Sequence, residues 1–188
     1  MILVTGGTRS GKSEFAEQLV MRRGERYLYM ATAKITDEEM ARRVEKHQKR
    51  RSSRWTTHEG YHELWRVLEE EGKNYDGILL DSVSSMLTNL LFDLIGEVNW
   101  DTFDFADVDF KAAEQEIIPV FEKIAAAAEQ RKLPLVVVTD EIGLGVIPDT
   151  YLGRAFRDMM GLANQKLAAA ADEVYFVISG IPVKIKGE

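Results

Sequence analysis

Apolar positions along the chain follow two rhythms. Short continuous runs, rich in β-branched and aromatic residues, occupy 2–5 (ILVT), 27–32 (YLYMAT), 77–81 (GILLD), 135–140 (LVVVTD), 173–179 and 183–186. Runs of this length read as strands, the first ones buried on both faces as in a parallel sheet. Between them, apolar residues recur at helical spacing, as with Phe15, Leu19 and Val20 or Met21 in 13–23. Further helices are predicted from 36 to about 51, from 57 or 58 to 71, and over 84–95, 110–131 and 151–171. Gly24 supplies a stop for the first helix, and Thr36 with Glu39 forms a capping box for the second. Pro119 predicts a break or kink in the 110–131 helix. The stretch 97–109 is the least regular and reads as a loop, and Gly180, Ile181 and Pro182 predict a tight turn between two antiparallel strands. Strands alternating with helices imply an α/β fold: a mostly parallel sheet, helices on both faces and a C-terminal antiparallel hairpin. No repeat, linker or low-complexity tract interrupts it, so residues 1–188 read as one domain.

Composition narrows the class. With 188 residues, 45% hydrophobic and 29% charged, the chain can bury a core and is neither disordered nor fibrous. It contains no cysteine, which removes disulfides, thiolate nucleophiles, iron–sulfur clusters and cysteine zinc sites. No apolar run is long enough to span a bilayer, and the N-terminus lacks the basic and small-residue features of a signal peptide; a cytoplasmic location is the expectation. The net charge of −7 argues against nucleic-acid binding, which calls for a basic face. The charge is uneven, however. Arg42, Arg43, Lys46, Lys49, Arg50, Arg51 and Arg54 are opposed only by Glu45, whereas the acidic residues from Asp93 to Glu122 face only Lys111. Each run suits a solvated helix face. The basic one also suits an anionic small molecule.

The chemistry begins at residues 6–13. Gly6, Gly7, Thr8, Arg9, Ser10, Gly11, Lys12 and Ser13 complete the pattern G-x-x-x-x-G-K-[ST], after a predicted strand and at the start of a predicted helix. Small residues let successive backbone N–H groups wrap a phosphate at the positive end of the helix dipole. Lys12 can reach the outer phosphates, and the Ser13 hydroxyl can ligate Mg²⁺. Asp81, Asp140 and Glu141 end predicted strands, where the carboxyl edge of a parallel sheet faces its ligands. Asp81 is the second candidate Mg²⁺ ligand. The plainer role for such acids is a turn or helix cap.

Of three histidines, His58 and His62 lack a third metal ligand at an obvious spacing and read as surface or packing residues. His47 differs: it follows Val44 by three residues and lies among Lys46, Lys49, Arg50 and Arg51. Neighbouring cations favour the neutral imidazole and would hold a triphosphate against it. Histidine is among the side chains that form covalent intermediates. The plain alternative is an incidental histidine on a basic helix.

Together these segments resemble a known family from Ile2 to Lys186. The stretches ILVTGGTRSGKS, YMAT, DEEMARRVEKHQKRRSSRW with TTHE, ILLDSVSSMLTNLL, VVVTDEIGLGVIP and SGIPVKIK are similar to those of the bifunctional adenosylcobinamide kinase / adenosylcobinamide-phosphate guanylyltransferases of cobalamin biosynthesis. The resemblance implies a RecA-like P-loop fold and a homotrimer. It implies two reactions: phosphorylation of adenosylcobinamide by ATP or GTP, then GMP transfer from GTP to adenosylcobinamide phosphate through a guanylylated histidine. By position in the motif that histidine is His47. Thr32, Ala33, Lys34, Gln48, Lys49, Arg50 and Arg51 would line the nucleotide site, and Glu59, Glu63 and Asp81 are candidates for reading guanine. One departure stands out: Asp140 occupies a position where asparagine is expected. Two rival readings fit the same residues. One is a P-loop kinase with no covalent step, which has no need of His47. The other is a RecA-like nucleic-acid module, which the net charge disfavours.

Overall fold

In a computed structural model, residues 1–34, 42 and 52–187 are described. The predicted 36–51 helix, with His47, therefore lies outside the described residues, except for Arg42.

The sheet is built from β1 (Ile2–Gly6), β2 (Tyr27–Ala31), β3 (Trp55–Glu59), β4 (Gly77–Asp81), β5 (Leu135–Val138), β6 (Glu173–Ile178) and β7 (Ile181–Lys186). Its seven strands run in the order β3-β2-β4-β5-β1-β6-β7. Every pairing is parallel except the terminal β6–β7 hairpin. The helices are α1 (Lys12–Met21), α2 (Leu64–Glu71), α3 (Val83–Ile95), α4 (Phe110–Arg131) and α5 (Tyr151–Ala170). The expected architecture is the one observed.

Alternation along the strands divides the core in two. Leu3, Leu28, Met30, Ile78, Leu80, Leu135 and Val137 point to one face, which α2 to α5 cover. Ile2, Val4, Tyr27, Tyr29, Leu79, Val136 and Val138 point to the other, where Ala16 and Val20 of α1 pack on them. Burial on both faces explains why these strands are continuous apolar runs rather than alternating ones.

Three expectations are corrected. Residues 57–59 are not helical: Trp55–Glu59 is the edge strand β3, and α2 begins only at Leu64. Two threonines and a tryptophan suit a strand, and Trp55 packs against Tyr27 and Tyr29 at ring distances of 5.0 and 5.9 Å. That contact exists only once β2 and β3 pair. Second, the break at Pro119 does not occur: α4 is one helix from Phe110 to Arg131. It buries Ala113, Ile117, Ile118, Phe121, Ile124, Ala125, Ala127 and Ala128, enough apolar contact to outweigh the roughly 3 kcal/mol a mid-helix proline costs. Third, the terminal turn is at Ser179 and Gly180, whose φ values of 51° and 84° suit a two-residue hairpin, and β7 begins at Ile181. The 97–109 stretch is a loop apart from one 3-10 turn, Phe105–Asp107, capped by the Asp104 carboxylate.

Candidate active site

The parallel strands deliver their carboxyl ends to one edge. Registers align Glu59 with Ala31, Ala31 with Asp81, Asp81 with Val138, and Val138 with Val4. Beyond Val4 the chain enters the phosphate loop, 6–13, and then α1. Gly6 is demanded by packing: a Cβ there would lie 2.5 Å from the Val177 carbonyl oxygen and 2.8 Å from Ser10 Oγ. Arg9 and Gly11 adopt left-handed backbone, with φ of 58° and 93°. For Arg9 this is a strained state held by its surroundings. Ser10 N–H donates to the Gly7 carbonyl at 3.2 Å, Phe15 N–H to the Gly11 carbonyl at 3.1 Å, and Gly180 N–H to the Ser10 carbonyl at 2.8 Å. The loop is thus pinned from both sides. The buried hydroxyls of Thr5 and Ser10 have no partner among the described residues, and Ser10 is a member of the loop.

Lys12 is 92% buried, with its ammonium folded over the loop. It donates to the Gly7 carbonyl at 3.1 Å and pairs with Asp140 Oδ1 at 2.6 Å. The Ser84 hydroxyl donates to the other Asp140 oxygen, and Asn164 Nδ2 donates to the Asp140 carbonyl at 3.1 Å. Thr139 is fixed in turn by its hydroxyl bond to Asn164 Oδ1 at 2.6 Å. The departure noted in the sequence now has a physical content: the acid at 140 is a counter-ion for the phosphate-loop lysine, which an amide could not be. Sequence reasoning missed Ser84 and Asn164. They come from α3 and α5, and no local pattern marks them.

At the next strand, Asp81 accepts a hydrogen bond from the Tyr29 hydroxyl at 2.8 Å through Oδ2. Thr32 is fully buried; its Oγ1 donates to the Ser82 carbonyl at 2.7 Å and accepts from Ser82 N–H at 2.8 Å. Asn89 Nδ2 donates to the Thr32 carbonyl at 2.8 Å. Ala33 and Lys34 continue outward from this anchored point. Glu59 ends β3 two strand positions from Asp81, at the rim of the sheet. Glu63 does not join it: it holds φ of 47° before α2 and pairs with Arg66 at 2.8 Å on the surface. His62 pairs with Asp93 at 3.0 Å, and Tyr61 donates to Asp93 at 3.2 Å. Burial, and then the Asp93 carboxylate, push the Tyr61 phenol up.

The loop follows β1 and leads to Lys12 at the start of α1, and Asp81 ends β4, two strands from β1 across β5. Ser13 and Asp81 offer a hydroxyl and a carboxylate. Among the described residues no three histidines or acids form a metal cluster. Two hard oxygen ligands plus substrate phosphates are what Mg²⁺ ordinarily takes, so the donor set fits that ion. His47, Gln48, Lys49, Arg50 and Arg51 lie outside the described residues.

Residues 2–185 match the family model described as cobinamide kinase / cobinamide phosphate guanyltransferase. The chain is 44% identical over 186 residues to the bifunctional adenosylcobalamin biosynthesis protein CobU of Escherichia coli (strain K12), covering 99% of each. It is equally similar, at 44% over 186 residues and 99% of each chain, to the protein of the same name from Salmonella typhimurium. It is 34% identical over 188 residues to the bifunctional adenosylcobalamin biosynthesis protein CobP of Pseudomonas aeruginosa, covering 99% of this chain and 97% of that one.

Proposed function

The chain belongs to the cobinamide kinase / cobinamide phosphate guanyltransferase family, and from that premise we propose a two-step reaction at the carboxyl edge of its sheet. In the first step the γ-phosphoryl group of ATP or GTP passes to the aminopropanol hydroxyl of adenosylcobinamide. The bond from the γ-phosphorus to the bridging oxygen breaks, the bond to the acceptor oxygen forms, and the hydroxyl proton is released. The backbone N–H groups of 6–13 cradle the phosphates, and Lys12 offsets charge on the outer ones. To do so Lys12 exchanges Asp140 for phosphate, which leaves the carboxylate beside the reacting region with Ser84 still bonded to it. Ser13 and Asp81 would hold Mg²⁺, which neutralises phosphate charge when bound.

In the second step a His47 ring nitrogen attacks the α-phosphorus of GTP and pyrophosphate leaves. The phosphate of adenosylcobinamide phosphate then displaces the imidazole, giving adenosylcobinamide-GDP. A covalent step divides one difficult displacement into two easier ones. Lys49, Arg50 and Arg51 supply charge around the nucleophile, Thr32, Ala33, Lys34 and Gln48 flank the nucleotide, and Glu59 or Asp81 accepts from the guanine N–H groups. The pairing of Glu63 with Arg66 makes it the weakest of the three candidates for that role. The reading also includes a single nucleotide-binding domain working as a homotrimer in the cytoplasm, without nucleic acid. Among the described residues no helix is long and apolar enough to cross a membrane.

The observation that carries the proposal is the pinned phosphate loop with Lys12 poised on it, within a chain that matches the family along its whole length. Incubation with GTP labelled at the α-phosphate tests it. The protein should acquire label that survives denaturing electrophoresis and base but is lost in acid, the behaviour of a phosphoramidate. No label on a protein that still phosphorylates adenosylcobinamide would reduce it to a simple kinase.

A further inference from the structure

A cleft of about 630 Å³ opens beside the strand edge, and of its lining residues only Lys34 has a role above. Lys34, Tyr61, Asn89, Phe92, Asp93 and Trp100 line it, with Glu97 on the rim. The Asn89 bond to the Thr32 carbonyl joins it to the nucleotide side. Its wall is aromatic. Trp100 lies 5.7 Å from Phe92 and 5.7 Å from Phe105, yet is 67% exposed. A tryptophan held by its neighbours with its ring in solvent is a stacking surface for something flat. Two carboxylates line the cleft, Glu97 and Asp93, the latter already partnered by His62 and Tyr61, and Lys34 joins them from the end of β2.

Resting on the reading above, we infer that this cleft seats the corrin ring of the acceptor. The chemistries match. Cobalt(III) bound to a singly deprotonated corrin and to an alkyl carbanion leaves a net positive charge on the macrocycle. The carboxylates attract that cation, and the Trp100 and Phe92 rings meet its flat apolar surface. Peripheral carboxamides of the corrin find donors and acceptors in Asn89, Thr88 and the Tyr61 hydroxyl. β2, which leads to Lys34, lies three inter-strand steps from β1, or about 14 Å at ordinary sheet spacing. The substrate's flexible, amide-linked aminopropanol arm and the triphosphate together bridge such a gap. The irregular 97–109 loop acquires a use: it presents Trp100 and Glu97.

Steady-state kinetics with adenosylcobinamide and GTP decide the matter, alongside α-phosphate labelling of the protein. Trp100→Ala and Glu97→Lys change exposed side chains, so the fold should persist. Each should raise the KM for adenosylcobinamide about tenfold, with the KM for GTP and the self-labelling unchanged. Trp100→Phe should restore most of the affinity. An unchanged corrinoid KM in both variants would overturn the assignment, as would a parallel loss of self-labelling, which would place these residues in the nucleotide site or the fold. An unmutated protein that labels itself but never turns over adenosylcobinamide would instead remove the parent reading, and this one with it.

Discussion

The two halves of the sheet's carboxyl edge are built differently. On the β1–β5 side nearly every polar group is held by another. Lys12 binds Asp140 and Gly7, Asp140 binds Ser84, Asn164 joins Thr139 to Asp140, and Gly180 holds Ser10. On the β2–β3 side Thr32 and Asp81 are anchored, and beside them lie an exposed rim and an open aromatic cleft. The difference follows from what each half must recognise. Phosphate is the same in every nucleotide, so its cradle can be fixed in advance, and preorganised donors stabilise transferred charge best. On the proposed reading a base, a histidine arm and a bulky corrinoid are all admitted there, which leaves that half unfilled by the protein itself.

Four variants would break or sharpen this contrast. His47→Ala should have the largest effect, on one reaction only: guanylyl transfer and self-labelling fall by a factor on the order of 10⁴ or more, while phosphorylation of adenosylcobinamide continues. Rate assays of the two half-reactions check this, and retained guanylyl transfer would make His47 a surface residue. Lys12→Ala should lower both reactions by about 10²–10³ without loss of fold, since it removes one preorganised charge from the shared cradle. Wild-type turnover with both ATP and GTP would show that the loop is not the phosphate site.

Asp140→Asn tests how tightly the fixed half is set. It removes the ion pair that competes with phosphate for Lys12 but keeps an oxygen for Ser84. Mg²⁺-free GTP should then bind about fivefold more tightly by calorimetry, the scale of a partly exposed ion pair. Unchanged or weaker binding would mean that Asp140 positions Lys12 rather than restraining it. The smallest effect concerns neither half. Asp76 caps the β2 entry, accepting from the backbone N–H groups of Glu25 and Arg26 at 3.0 Å each. Those bonds, then the Arg26 side chain, hold its carboxyl below the usual carboxylate range. A depressed folded-state value means that this stabilisation is complete above that range and is lost as pH falls through and below it. Asp76→Asn should therefore flatten the acid limb of a stability profile and leave neutral-pH activity untouched. An unchanged acid limb would show that the cap contributes nothing.

Much of this was legible because it is local. The loop at 6–13 carries its own conformational demands, and the strand runs are buried on both faces, so each announces itself within a few residues. Residues 57–59 hide their strand for the opposite reason: WTTHE is too short and too polar to show a period, and Trp55 becomes a strand residue only when Tyr27 and Tyr29 lie beside it. Pro119 misled in the same way, because its local cost is visible in sequence and the packing of α4 that overrides it is not.

By itself, then, the sequence determined the α/β alternation, the phosphate loop, the lack of thiol chemistry and the family. Only the tertiary structure decided what Asp140 does, that Ser84 and Asn164 belong to the site, that Glu63 turns away to Arg66, and that Phe92, Trp100, Asp93 and Lys34 share one cleft. The physical reason is range. Backbone conformation and strand burial are set by neighbours in the chain, whereas an ion pair or a cleft forms between side chains that are distant in sequence until the sheet order brings them together.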